Sequence, residues 1–554
     1  MGRRPGEGTG RSPLVRRTAL ATLIASALLG GVATAASDSG RTRAGGTVIV
    51  GMPEPPDLNV LARDSAPALW IGHMIVLGAY SVNGRGLYVP SLVAGEPRIT
   101  QRPFSVTYTI APRARWSDGV PVSAQDFIFT WQLERSPDID PDPSLEAAYR
   151  RIARARLLAP KRVKFVFDQP YFGWKGLFDF VLPWHALRNQ DPSAAWRDTI
   201  DDPRTGTPLS DGPFIFRSWS RGDRLTLVRN AHYWRRKPYL NQLVLRFLPD
   251  AGSQLDALRA RQVDLILPPP FQLLPADLHG GGDIRVLSGP SGGWEHLDFN
   301  LGPKGNPGLR NRFVRRAIAY GIDRVGLAAE VSRNVQPGST SLQNAMIQPY
   351  SSAYAEHWRH WTHQPPRALA LLRAHGCRRG QDGIFSCASQ RLSFRLVSTA
   401  GNAARQLAFE RVQAELAKIG IEVRGDFEPP PLAFRRIQDS RDWDLALFAW
   451  AGTPDATGGD VQIFGCHGSL NYNGYCNPRV SRMLAAALRQ LRFDRRSALL
   501  NRADALVAKD VPLLPLYEKP GYVLYNSRIR NVRWNPDVDY LVFGNAQDWW
   551  IART

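Results

Sequence analysis

The chain has 554 residues, 44% of them hydrophobic, and a formal net charge of +21. This length exceeds what one hydrophobic core usually supports, so two or three domains are expected. The positive charge comes mainly from Arg residues scattered along the chain without a long basic block, which favours an Arg-rich surface and argues against a nucleic-acid-binding module.

The N-terminus has the pattern of a secretory signal peptide. Arg residues within 3–17 precede an apolar run at 19–32 and the small-residue site Ala33–Ala35. Cleavage after Ala35 removes five Arg and one Glu and lowers the net charge from +21 to +17. A linker at 36–46 follows, and no later stretch has the 18 or more apolar residues of a membrane span. We expect export, by the Sec or the twin-arginine route, to the periplasm or the outer face of the cytoplasmic membrane.

The cysteines fall into two equally spaced pairs, Cys377 with Cys387 and Cys466 with Cys476. Exported chains with an even number of cysteines usually oxidise them. Zinc would need tighter spacing within each pair. We predict two disulfides and no metal; three pairings are possible, of which the local one joins Cys377 to Cys387 and Cys466 to Cys476.

In chain order, the first predicted strand is 46–51, which ends before Pro53. A helix is predicted over 66–80. Residues 81–208 form an inserted domain with a strand at 104–110. After the turn 116–121, Ser123 and Asp126 cap a helix over 124–134.

The alternating pattern of residues 211–247 predicts a hairpin with its turn at 221–223, followed by a third strand at 243–247. A helix at 255–263 and a strand at 264–267 come next. A strand at 294–300 then leads into the second half of the chain.

The second half alternates helices and strands, as in an α/β lobe. Helices are predicted at 313–320 and 404–419, a strand at 443–450, and a helix that begins at Pro478 after the cap Asn477.

Several motifs together resemble one known family. They are Gly212-Pro213-Phe214 with Trp219 and Arg229-Asn230…Tyr233-Trp234, the W-S-D-G-x-P turn at 116–121, V-R-x-A-I-x-Y-x-I-D-R at 314–324 and P-L-L-P-L-Y at 512–517. The chain thus resembles the family 5 extracellular solute-binding proteins, the peptide-, nickel- and oligosaccharide-binding partners of ABC importers. The resemblance implies an α/β, periplasmic-binding-protein-like fold, with two lobes around a hinge and an additional inserted domain. The implied domains are domain I (47–80, 209–297 and 521–554), domain II (81–208) and domain III (298–520).

The resemblance also implies the function. The protein is expected to capture a small solute, an oligopeptide or dipeptide, between two lobes and to deliver it to a membrane permease with its ATPase. Neither catalysis nor a cofactor is expected, and the protein is expected to be a monomer without a nucleic-acid partner. A solute-binding sensor without a transport role is an alternative.

Candidate ligand contacts lie around Trp450, because ligands of α/β sheets gather beyond the carboxyl ends of strands. Peptide-binding relatives place an Asp about three residues after this Trp, where this chain has Thr453 and Asp455 follows. Either Asp455 binds the amine of a peptide after a small loop shift, or the ligand has no amine there. Core packing for Trp450 and an ordinary turn at Asp455 are the alternatives.

Four further residues complete the candidate site. Glu54 is expected at the lip of the cleft and Asn300 where the chain crosses into the second lobe. Asn471 and Tyr472 belong to the loop between Cys466 and Cys476, which either faces the ligand or is a stapled surface loop.

Two patterns suggest other chemistry. Gly289–Gly293 fits the G-x-S-x-G motif of a secreted serine hydrolase acting through Ser291, but such a nucleophile must lead into a helix and an extended segment is predicted here. His357, His360 and His363 are spaced by three, as in a metal site or simply a polar surface segment.

Overall fold

The computed structural model describes residues 44–61, 65–136, 143–267, 282–450, 457–537 and 540–552. Its centre is a ten-stranded mixed sheet that combines strands from both halves of the chain. In spatial order the strands are β10 (Phe214–Ser220), β11 (Arg224–Arg229), β12 (Gln242–Phe247), β1 (Thr47–Met52), β13 (Leu265–Ile266), β21 (Leu513–Asn526), β14 (Ile284–Phe299), β20 (Leu445–Trp450), β18 (Ser393–Thr399) and β19 (Glu422–Glu428).

Two long antiparallel strands, β14 and β21, form the middle of this sheet. The strand β1 runs parallel to β12 and β13 on one side, and β18 runs parallel to β19 and β20 on the other. The register of β14 with β21 shifts between Pro290 and Trp294 and again between Glu295 and His296. The two parallel parts of the sheet are therefore joined through irregular, Gly- and Pro-containing strands.

A second sheet has four antiparallel strands in the order β4 (Arg98–Gln101), β5 (Phe104–Thr109), β7 (Arg162–Phe167) and β6 (Ile152–Ala159). Short pairings complete the strands: β2 (Tyr80–Val82) with β3 (Tyr88–Pro90), β8 (Asp201–Asp202) with β9 (Thr207–Pro208), β16 (Phe385–Cys387) with β15 (Arg378–Arg379) and β17 (Gln390–Arg391), and β22 (Ile529–Arg530) with β23 (Trp550–Ile551).

Helices cover the sheets. In chain order they are α1 (Ala66–Ile75), α2 (Ala124–Leu133), α3 (Pro143–Arg150), α4 (Trp184–Leu187), α5 (Pro192–Ala195), α6 (Ala251–Arg259), α7 (Arg312–Gly321), α8 (Arg324–Ser332), α9 (Pro365–Ala374), α10 (Ala403–Lys418), α11 (Pro430–Arg435), α12 (Thr457–Phe464), α13 (Pro478–Leu488) and α14 (Phe493–Asp510). One large core cluster draws on residues 48–267 and 523–549, and a second on residues 294–517. The α/β fold expected from the sequence is confirmed; the three domain boundaries stay a prediction.

Some element boundaries differ from the prediction. The helix expected over 66–80 ends at Ile75, because the chain then runs against the backbone near Phe178 and Asp179. A Cβ at Gly78 would lie 2.2 Å from the carbonyl oxygen of Asp179, and the Ala79 amide donates to the Phe178 carbonyl at 2.7 Å. These tertiary contacts stop the helix.

Two further boundaries also differ from the prediction. The helix expected at 255–263 begins at Ala251, where the Asp250 carboxylate accepts a hydrogen bond from the Ser253 amide at 2.8 Å, and ends at Arg259. The strand expected at 294–300 begins at Ile284 and includes the Gly-rich segment at 289–293. Gly and Pro are rare inside strands, so the sequence pattern missed the first ten residues of this strand.

Candidate functional site

The candidate site lies where strands of the second half of the sheet end. Since β18 and β20 are parallel neighbours, their last residues, Thr399 and Trp450, lie at the same edge of the sheet. Trp294 of β14 is the register partner of Trp450. This edge adjoins the irregular part of β14 and β21, and it is the position at which α/β sheets commonly bind ligands.

Three aromatic rings are stacked at this edge. The Trp450 ring lies parallel to His296, with centroids 5.8 Å apart, and 5.7 Å from Tyr472 at an interplanar angle of 27°. Trp450 is half-buried, and its indole N–H has no hydrogen-bond acceptor within the described residues. A buried donor without an acceptor costs free energy, so a polar ligand group at this point would be stabilised.

A buried ion pair joins Glu295, the residue before His296 in β14, to Arg405. The Arg405 guanidinium donates from Nε to Glu295 Oε1 at 2.6 Å and from Nη1 to Thr399 Oγ1 at 2.7 Å. Arg405 stands in the first turn of α10, where its backbone amide donates to the cap residue Asn402. The pair therefore ties the crossing strand β14 to the end of β18 and the start of α10.

The crossing strands carry two more ionisable groups. The Glu518 carboxylate accepts a hydrogen bond from the Gly292 amide at 3.3 Å, and burial raises the pKa of Glu518 to about 7. Burial also lowers the pKa of the neighbouring Lys519. Desolvation disfavours the charged form in both cases, so both groups would respond to a charged ligand.

Trp534 packs on the same strands and leaves no room for side chains. A Cβ at Gly289 or at Gly521 would lie 2.3 Å from its indole ring. The Trp534 N–H donates to the Pro290 carbonyl at 2.7 Å. Glycine is therefore required on both strands where this ring crosses them.

Ser291 has a structural environment rather than that of a nucleophile. Its hydroxyl donates to the Lys519 carbonyl oxygen at 2.6 Å, and the chain continues as strand β14 through Phe299. No helix follows the G-x-S-x-G match, as the sequence pattern predicted.

The candidate residues from the sequence divide into three groups. Trp450 and Tyr472 are brought together in the aromatic stack. Glu54 accepts hydrogen bonds from the Trp219 indole and the Gly222 amide, both at 3.0 Å, so it fastens the chain after β1 to the β10–β11 hairpin. Thr453 and Asp455 lie outside the described residues.

Two asparagines that the sequence analysis named as candidate ligand contacts donate hydrogen bonds from their side-chain amides to backbone carbonyls of the protein. Asn300 donates to the carbonyls of Arg441 and Trp443 at 2.9 and 2.7 Å. Asn471 donates to the carbonyls of Gly465 and Tyr475 at 2.8 and 2.6 Å, inside its own loop. These bonds hold loops in place around the site.

The structure contains both local disulfides, Cys377–Cys387 and Cys466–Cys476. The second closes the loop that delivers Tyr472 to the stack. Within the described residues, no group of three His, Cys, Asp or Glu side chains could hold a metal ion. His357, for example, lies 3.3 Å from the amide oxygen of Asn501.

The sequence analysis missed Glu295, His296 and Arg405. A signal was present for the first two, because the segment Trp294–Asn300 places charged and polar residues in a strand whose other residues are apolar. Buried polar groups in a strand need partners, which makes them candidates for a site. Nothing in the sequence around Arg405 indicates its distant partner.

Comparison with solved structures shows the fold class. The periplasmic EDTA-binding protein EppA matches with a TM-score of 0.81 and 24% identity, over 93% of this chain and 98% of that chain. The oligopeptide-binding protein AppA from Bacillus subtilis, in complex with a nonapeptide, matches with a TM-score of 0.73 and 20% identity, over 93% of this chain and 100% of that chain. The fold is that of the periplasmic binding proteins.

Sequence comparison gives the family. The model of the bacterial extracellular solute-binding proteins, family 5 Middle, matches residues 88–469. The oligopeptide-binding protein OppA of Mycobacterium bovis is 28% identical over 453 residues, which cover 80% of this chain and 74% of that protein. The chain belongs to family 5 of the bacterial extracellular solute-binding proteins. It is a substrate-binding protein of an ABC importer, and its family is not catalytic. None of the helices in the described ranges combines the length and apolar character of a membrane span.

Proposed function

We propose that the protein binds a short peptide at the candidate site and delivers it to the permease and ATPase of its importer. The observation that carries the proposal is the half-buried Trp450 at the sheet edge, which is stacked with His296 and Tyr472 and whose buried N–H has no hydrogen-bond partner within the described residues. Peptide backbones supply carbonyl acceptors for such a donor, and apolar side chains pack on indole rings. Two of the similar proteins are named as oligopeptide-binding proteins.

The ionisable groups near the site carry little net charge. Arg405 is paired with Glu295, and burial disfavours the ionised forms of both Glu518 and Lys519. A peptide carboxylate bound near Lys519 would favour its charged ammonium and raise its pKa. The amine contact expected at Thr453 or Asp455 remains part of the proposal.

Capture would proceed by closure of the two lobes about β14 and β21. The register shift between Pro290 and Trp294 interrupts the hydrogen bonding of β14 with β21, the two strands that connect the lobes, so we expect the hinge there. The Arg496 guanidinium lies 3.4 Å from the Phe172 ring centroid. With the domain boundaries predicted from the sequence, this is a contact between domain III and domain II. A ligand shifts such an equilibrium only as far as it prefers the closed form.

The first experiment identifies the ligand. Mass spectrometry of small molecules that co-purify with the protein, followed by calorimetric titration with the compounds found and with peptides of two to nine residues, tests the peptide proposal directly. Peptides that bind with a 1:1 stoichiometry are expected. Binding of a non-peptide solute alone, with no peptide of the panel bound, would refute the peptide assignment.

The second experiment locates the site. Trp450→Ala should weaken binding of the identified ligand roughly five- to thirtyfold, equivalent to about 1–2 kcal/mol for a lost aromatic contact and hydrogen bond. Trp131→Ala is the matched control, because Trp131 is also half-buried but packs in the four-stranded sheet domain against Arg135. Equal affinities for both variants and the wild type would contradict the proposed site.

A further inference from the structure

The four-stranded sheet has a row of basic side chains across one face. In the strand register, Arg98 of β4 is opposite Thr107, Thr107 is opposite Lys164, and Lys164 is opposite Arg156 of β6. Residues directly opposite each other on neighbouring strands share a face. Three cations and one Thr therefore form a row across all four strands.

The adjacent rows add two more cations to this face. Arg154 is opposite Val166, two residues from Lys164, and Arg162 is opposite Thr109, two residues from Thr107. Residues two apart on a strand point to the same side. We call these side chains the basic sheet face: Arg98, Arg154, Arg156, Arg162 and Lys164. No Asp or Glu occurs in any of the four strands.

The opposite face of the same sheet is the core of this region. Val106, Tyr108 and Phe165 are buried, and the rings of Tyr108 and Phe165 contact Phe178. The sheet is thus apolar on one side and basic on the other, so the cations do not arise from a generally charged environment.

The basic sheet face is open to solvent. Its four arginines are exposed and Lys164 is half-buried. None of the five forms an ion pair within the described residues, and the nearby carboxylate of Glu96 lies 3.2 Å from the Lys175 ammonium. Among the residues that the structure describes, no carboxylate therefore neutralises the positive charge of this face.

Large apolar side chains are exposed at both edges of the same sheet. Leu157 and Leu158 of the edge strand β6 are 52% and 47% exposed, and Ile99 of the other edge strand β4 is 41% exposed. Leu157 is opposite Val163 and Ile99 is opposite Val106, so both lie on the apolar side of the sheet. The attraction of the other side to an anionic membrane interface therefore comes from its cations, each of which contributes near such a surface.

We propose that the basic sheet face docks this protein on an anionic lipid bilayer. Four strands at about 4.8 Å spacing give a flat surface roughly 14 Å wide, which matches a planar array of headgroups. A single-stranded nucleic acid would require aromatic side chains for base stacking, and the residues on this face within the described strands include none. Docking there would hold the binding protein near the membrane, in addition to its solute-binding function.

The test is co-flotation of the purified protein with vesicles of phosphatidylcholine and phosphatidylglycerol in a 7:3 ratio, and with pure phosphatidylcholine vesicles. The face variant is Arg98→Gln, Arg154→Gln, Arg156→Gln. The control variant removes the same charge from exposed arginines of α13 and its C-cap that have no ion pair in the described ranges: Arg479→Gln, Arg482→Gln, Arg489→Gln. All three proteins keep the same N-terminus, so its contribution is common to them.

Each basic side chain near an anionic surface strengthens binding about fivefold, so the face variant should bind the anionic vesicles roughly a hundredfold more weakly than the control variant. Wild-type binding should fall with added salt and should be absent on phosphatidylcholine. Equal binding by the two variants, equal binding to both vesicle types, or binding by this face to an oligonucleotide or an acidic protein without binding to vesicles would overturn the proposal. Circular dichroism and solute affinity, expected to be unchanged, verify that the variants are folded.

Discussion

The ion pair between Glu295 and Arg405 should be a principal support of the candidate site. Glu295→Gln keeps the shape of the side chain and one acceptor oxygen but leaves the Arg405 guanidinium without a counter-charge. The two side chains are only 2% and 7% exposed. Removing one partner of a buried pair typically costs about 3–5 kcal/mol. Because Arg405 keeps its hydrogen bond to Thr399, we expect a loss near the lower limit, about 3 kcal/mol.

Urea unfolding followed by tryptophan fluorescence measures this loss. The control is Asp494→Asn, which breaks the surface pair with Arg492 and should leave the midpoint unchanged. Replacing both members of the buried pair, by Glu295→Leu with Arg405→Met, should recover most of the loss, since apolar residues often substitute for a buried pair. A Glu295→Gln protein as stable as the wild type, or a double variant no more stable than the single, would refute this reasoning.

Three other predictions concern stability. Burial raises the pKa of Asp504 from 3.8 to about 7, so folding favours the protonated carboxyl; stability should fall, by up to about 4 kcal/mol, as the pH rises from about 4 to about 7. Asp504→Asn should reduce this slope in urea midpoints measured across that range by the Asp504 share, leaving the share of Glu518, whose pKa burial also raises to about 7. Replacing the Cys466–Cys476 disulfide by two serines should cost about 2–3 kcal/mol for a loop of ten residues, measured as a lower calorimetric midpoint. Gly521→Ala places a Cβ 2.3 Å from the Trp534 ring and should lower the midpoint, whereas Gly459→Ala, with open space around it, should not.

Features that depend on neighbouring residues were predictable from the sequence. The Ser123 amide donates to the Asp126 carboxylate at 2.6 Å, as expected for the capping box at the start of α2. The hairpin β10–β11 turns at 221–223 as predicted. Both depend on residues within a few positions of each other, so composition and spacing contain the information.

Features that depend on distant backbone were not predictable in the same way. The helix α1 stops at Ile75 because the chain near Gly78 meets the backbone at Phe178 and Asp179, a hundred residues later in the sequence. The Gly-rich start of β14 is extended because it pairs with β21, more than two hundred residues away. Strand pairing overrode the local preference of Gly and Pro in that segment.

The sequence by itself determined the family and the α/β class, because signature motifs and the alternation of strands and helices are local patterns. Only the tertiary structure decided which side chains meet. Tyr472 stacks on Trp450, and Arg405 pairs with Glu295. The candidates Glu54 and Asn300 form hydrogen bonds with other residues of the protein, Glu54 with the Trp219 indole and Asn300 with the Trp443 carbonyl. The physical reason is that a buried polar group takes whichever partner the completed fold brings within hydrogen-bond distance, and that partner can be more than a hundred residues away.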